Sequence, residues 1–152
     1  MTDPVSFAFT TPRHALPNLF TAQAQKEFTV NEAFARIDAL LHPAIEGEAD
    51  APPAAPVDGE SWLVGAAPGG DWSGHAGELA TMQAGNWIFA APLPGMALFD
   101  KSLGVTARFD GSWRWAAGVA EPTGGTVEDV EARAAIGGLI AALVSAGILP
   151  TV

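Results

Sequence analysis

Val105-Thr106-Ala107-Arg108-Phe109-Asp110-Gly111-Ser112-Trp113-Arg114-Trp115 is the stretch that decides the fold class. Val105, Ala107 and Phe109 alternate with polar residues and so share one face of a strand, and Trp113 and Trp115 do the same on the strand that follows. Asp110-Gly111 between them is the strongest hairpin signal in the chain, because a type I′ turn needs positive φ at both central residues. Strands joined this tightly run antiparallel. Working outward, the same pattern repeats. Lys101-Ser102-Leu103-Gly104 makes the turn after a strand over 96–100, and Pro92-Leu93-Pro94-Gly95 breaks the chain before it. Further back, Ala84-Gly85 separates strands over 79–83 and 86–91, and Ser61-Trp62-Leu63-Val64 is a short strand ended by Gly65. Residues 60–117 therefore read as an antiparallel meander or small barrel, with no βαβ unit.

Helical signals flank this region. Thr29-Val30-Asn31-Glu32 fits a capping box and predicts a helix over 30–42, preceded by a shorter helical turn over 22–27. Val30, Phe34, Ile37, Leu41 and Ala44 are spaced as a heptad seam, which either covers the chain's own core or joins identical chains. Downstream, Thr126-Val127-Glu128-Asp129 is a second cap and predicts a helix over 127–146 that stops at Gly147. Gly137, Ala141 and Ser145 recur one turn apart on it, a stripe that lets another backbone approach closely, with Ile136, Leu139, Ile140 and Leu143 as bulky packing beside it. So apolar a helix is expected to dock on a neighbouring subunit or on the β region. The class is α+β: a small antiparallel β meander or barrel between an N-terminal and a C-terminal helix. Along the chain this gives an extended, proline-punctuated arm over 1–18, a helical segment over 19–45 and an acidic Pro/Ala-rich connector over 46–59. The β region over 60–117, a Gly/Pro linker over 118–126 and an oligomerising helix over 127–149 complete it.

Composition narrows the function. The 152 residues carry 7 basic and 17 acidic side chains, a formal charge of −10, and the cations are scattered. Gripping nucleic acid needs clustered Lys and Arg, so no nucleic-acid partner is expected. Residues 134–152 are uncharged, but Gly137, Gly138, Ser145, Gly147, Pro150 and many alanines make a poor spanning helix, and no membrane insertion is expected. The N-terminus lacks the charged start and apolar run of a secretory signal. Cysteine is absent, which removes disulfides and thiol chemistry.

The search for catalysis yields little. His14, His42 and His75 form no spaced metal pair, and the connector's carboxylates lack the order of a calcium loop. Asp71-Trp72-Ser73-Gly74-His75 has the letters of a triad, but such groups converge across a fold rather than along five residues. Gly65 to Gly70 lacks the Lys-Ser/Thr of a phosphate loop. No enzyme, cofactor or metal is expected. Of the five tryptophans, Trp62, Trp87, Trp113 and Trp115 fit a buried β face. Trp72 stands apart, ringed by turn residues, and with His75 is the candidate contact for a sugar ring.

A wider set of residues carries a resemblance. Leu16-Pro17-Asn18-Leu19-Phe20, Gln23-Ala24-Gln25-Lys26-Glu27 and Asn31-Glu32-Ala33, then Asp58 to Val64, Trp72 to Gly77, Gly85 to Phe89 and Phe109 to Trp113, resemble a phage-associated domain of alphaproteobacterial prophages and gene transfer agents. The resemblance covers residues 14–117. It implies a virion structural protein, located in a virus-like particle and made in the bacterial cytoplasm: part of a tail fibre, or of a head spike or its base. Its implied partners are itself, the capsid or other virion proteins, and a receptor-binding fibre; the heptad seam suits a trimer, whereas a seat at a capsid vertex would suit a pentamer. Many relatives continue into long fibre regions where this sequence has one helix, which favours an adaptor or spike base. The alternative is a carbohydrate-binding module for host capsular polysaccharide.

Overall fold

The computed structural model describes residues 10–13, 16, 18, 26–125 and 129–152. The chain divides into two compact units, residues 1–92 and 93–152, and its strands form two four-stranded sheets. The α+β class holds, with most strands paired consecutively and antiparallel between an N-terminal and a C-terminal helix; they form two sheets, and neither closes into a barrel. The division falls at Pro92-Leu93-Pro94, where prolines cannot donate to a ladder.

In the first unit, helix α1 (Lys26–Leu40) precedes strands β1 (Ala44–Ile45), β2 (Glu48–Ala49), β3 (Ser61–Val64), β4 (Leu79–Gln83) and β5 (Asn86–Ala90). The sheet order is β2-β3-β4-β5, antiparallel except that β2 lies parallel to β3, with Glu48 opposite Leu63 and Ala49 opposite Val64. The acidic connector is therefore only partly a solvated link, because its first residues form an edge strand. Leu63 N donates to Gly47 O and Gly65 N to Ala49 O, at 3.0 and 2.8 Å, and these backbone pairs need no particular side chains. The following loop over 50–60 supplies the long crossover that parallel strands require.

Helix α1 already contains Thr29, so the capping box does not start it; residues 21–25 lie outside the described residues. Its C-terminus is closed from a distance. The Arg13 guanidinium donates to the carbonyls of Asp38, Ala39 and His42 at 2.9, 2.8 and 2.7 Å, placing a cation on the negative end of a helix whose last turn has none. Buried Asp38 in turn accepts from Thr11 Oγ1 and Arg13 N. The described part of the N-terminal arm is hence bound to the chain's own helix; residues 1–9 lie outside the described residues.

The tight type I′ geometry also falls elsewhere than expected. Gln83 pairs with Asn86 across Ala84-Gly85, and both loop residues have positive φ, 49° and 76°. Phe109 instead pairs with Trp113 across three residues, of which Gly111 alone has positive φ. An alanine in the left-handed region is strained by about 1–2 kcal/mol, which asparagine largely relieves. Ala84→Asn is expected to stabilise the protein by about 0.5–1 kcal/mol, read as a raised denaturation midpoint at unchanged slope.

The second unit holds β6 (Ala97–Asp100), β7 (Val105–Phe109) and β8 (Trp113–Trp115) in an antiparallel ladder, followed by α2 (Val130–Ser145). The alternation holds: Val105 and Ala107 are buried, Thr106 and Arg108 exposed. Asp129 caps α2 by accepting from Ala132 N at 2.8 Å, so the helix starts at Val130 rather than 127; Thr126 to Glu128 lie outside the described residues. It ends as expected at Gly147, with φ 67°. There Gly147 N donates to Val144 O and Ile148 N to Leu143 O, a Schellman closure. Thr106 N bonds Gly147 O at 2.8 Å and so ties this end of α2 to β7.

Candidate functional site

The loop over 65–78 shapes the first unit's surface. Its ends are clipped together by Val64 N to Glu78 O and Gly77 N to Val64 O, at 3.0 and 2.8 Å, so fourteen residues leave and return at one point, as in an Ω-loop. Between them a 3-10 turn, Gly70–Trp72, folds the indole of Trp72 down onto the sheet. Gly70 and Gly74 bracket that turn with φ of 59° and 91°, which lets the backbone double back.

Trp72 is consequently the wrong residue for a sugar platform. Its side chain is 0% exposed and packs with Val64 and Ala80, against half-buried Trp62, Trp87, Phe89 and Ala49. Its ring meets Trp87 edge-on at 5.1 Å and Trp62 at 6.5 Å. The polar neighbours that made it look exposed belong to the backbone turn, and the indole itself points inward. Sequence reasoning had the tryptophans inverted, since Trp62 and Trp87 are the ones left partly open.

His75, the second candidate, does reach the surface. Its ring stacks on Phe89 at 3.5 Å and is nearly parallel to it, while Nδ1 lies 2.9 Å from Glu78 Oε2. Across a cleft of about 540 Å³, α1 presents Glu32 and Arg36, one helical turn apart and paired at 2.9 Å. Arg36 Nη1 also donates to the Phe89 carbonyl at 3.2 Å, and Trp87 and Ile88 complete the wall. Each carboxylate here has a hydrogen-bond partner on its own side, Glu32 in Arg36 and Glu78 in His75, and the cleft sets these polar groups beside aromatic carbon. Sequence reasoning missed Arg36 and Glu78; the helical spacing of Glu32 and Arg36 and the turn spacing of His75 and Glu78 are the signals that point to them, whereas nothing local signals their meeting across β5.

The expected oligomer contacts fare unevenly. On α1 the buried face is Ala35, Asp38 and Ala39, which leaves Val30 and Phe34 half-buried and Ile37 and Leu41 exposed. The seam is thus offset from the face that covers the chain's own core. On α2, Gly137 faces its own chain, where a Cβ would lie 3.4 Å from Glu121 Oε1. Ala141, with Ile140 and Val144, lines a groove shared with Val119, Glu121 and Pro150; Ser145 is exposed. Of the small-residue stripe, Gly137 is half-buried against its own unit, while Ala141 and Ser145 are exposed.

In the second unit, exposed Arg114 donates to Asp110 Oδ1 at 2.8 Å and holds that carboxyl below its ordinary value. Being solvent-screened, the pair adds little to stability, and what it adds is present above pH 3.8 and fades as pH falls further. Among the described residues no group of three or more His, Asp or Glu is arranged to hold a metal ion, and no helix is long and apolar enough to cross a membrane.

Residues 30–115 match a family model described as a protein of unknown function, DUF2793. No curated protein and no solved structure matches the chain.

Proposed function

This chain belongs to the DUF2793 family, and on that premise we propose that it is a structural component of a phage-like particle, either a gene transfer agent or a prophage virion. Its role is that of a head-spike base or fibre adaptor, which self-associates and links the particle to a receptor-binding fibre without catalysis. One observation carries this reading. The family match over 30–115 contains most of the motifs by which the sequence resembles the phage-associated domain, among them Asn31-Glu32-Ala33, Asp58 to Val64 and Phe109 to Trp113. A charge of −10 suits contact with proteins better than with packaged DNA. The carbohydrate alternative is weakened by the burial of Trp72, which was to be its main contact.

Co-purification tests the role. An epitope-tagged copy expressed in its native host should band with particles in a density gradient, in a fixed ratio to the major capsid protein that reflects a symmetric site. Recovery of the tag only in the soluble fraction would contradict it.

A further inference from the structure

Helix α2 has sixteen residues and not one of them is buried. Its four half-buried positions, Arg133, Gly137, Ile140 and Val144, fall on the side turned to its own unit. An adjacent stripe is left open: Ala132, Ile136, Leu139, Leu143 and Ala146, all exposed, with Leu139 at 65%. Their spacing of four, three, four and three is that of a coiled-coil seam, sustained over two heptads. It differs from the Gly137, Ala141 and Ser145 stripe that the sequence had suggested.

We propose that this Ile136, Leu139 and Leu143 seam is where copies of the chain meet, the α2 helices of neighbouring copies packing together around a shared axis. Charge identifies the occupant. Each copy carries −10 overall, so most surfaces of two copies repel, yet from Ala134 to Val152 there is no charged residue. A neutral seam offers no purchase to an oppositely charged partner, and it lets like-charged copies approach. Spacing agrees, since a 4-3 repeat interlocks with a second copy of itself, knobs of one entering holes of the other. Small residues beside the seam, Ala135, Gly138 and Ala142, allow close contact. An isolated helix of this length would be marginal in water, but Asp129 at one end and the Gly147 closure on β7 at the other hold it formed before association. Self-association is the part of the proposed role on which this rests.

Native mass spectrometry of the full chain tests it, alongside Leu139→Glu and a control, Leu93→Glu, at another exposed leucine outside the seam. The wild type and the control should form the same discrete oligomer. Leu139→Glu should be monomeric, with association weakened on the order of 100-fold or more, because each copy places a charge in the contact. Circular dichroism should show an unchanged fold, and the milder Leu139→Ala should shift the same equilibrium partway. A monomeric wild type at tens of micromolar, or an oligomer that persists in Leu139→Glu, overturns the seam. A wild type that is monomeric yet bands with particles would sink the seam while sparing the adaptor role. Seam-dependent oligomers absent from particles would do the reverse.

Discussion

Trp72→Ala is expected to cost about 3–5 kcal/mol, the usual range for removing a large buried aromatic. Because folded domains are stable by only about 5–15 kcal/mol, the thermal transition of the first unit should fall by at least about 15 °C or vanish. The indole is fully buried where Val64, Ala80, Trp62, Trp87 and Phe89 converge, so alanine leaves a void that a clipped loop cannot close. Trp72→Phe separates the causes. Among the described residues the Trp72 Nε1–H has no hydrogen-bond partner, so phenylalanine gives up volume alone and should cost about 1–2 kcal/mol. A melting temperature unchanged in Trp72→Ala would show that the loop does not plug the sheet.

Asp100→Asn is the second large effect, and it comes from hydrogen bonding rather than volume. Asp100 is buried and accepts four bonds. Oδ1 takes Ser102 N, Ser102 Oγ and Leu103 N at 2.9, 2.6 and 3.2 Å, and Oδ2 takes Trp115 Nε1 at 3.0 Å. The carboxylate thereby forms the 101–104 turn and pins β8 to β6. Asparagine has the same shape but one oxygen, so in either orientation its amide hydrogens oppose donors. Leaving such groups unpaired costs about 1–3 kcal/mol each, and about 2–3 kcal/mol of stability should be lost in urea denaturation. No change in midpoint would mean that these bonds exchange freely with water.

Both sites illustrate what a sequence can and cannot disclose. Turn residues at the strand ends located β3 to β6, and period-two alternation located β7 and β8, almost residue by residue. Gly147 announced the end of α2 because only a residue at ease with positive φ closes a helix that way. Long-range features left no such trace. β2 joins its neighbour through backbone groups common to every residue, and Arg13 caps α1 from outside the helix, across 25 or more positions. Trp72 was misjudged because its neighbours describe the turn, while the direction of its side chain depends on how the whole loop is clipped. The spacings of Glu32 with Arg36 and of His75 with Glu78 are local signals, but only the fold brings the two pairs to one cleft. The match to a family of unknown function over 30–115 falls within the span 14–117 whose motifs resemble a phage-associated domain.

The proposed role as part of a phage-like particle stands or falls most directly on imaging. Particles should be purified from a producing strain and from one lacking this chain, then compared by electron cryomicroscopy. The account predicts density at a symmetric position on the wild-type particle, absent from the deletion, together with loss of the fibre that the adaptor carries. Particles of unchanged architecture and fibre content in the deletion strain would contradict it.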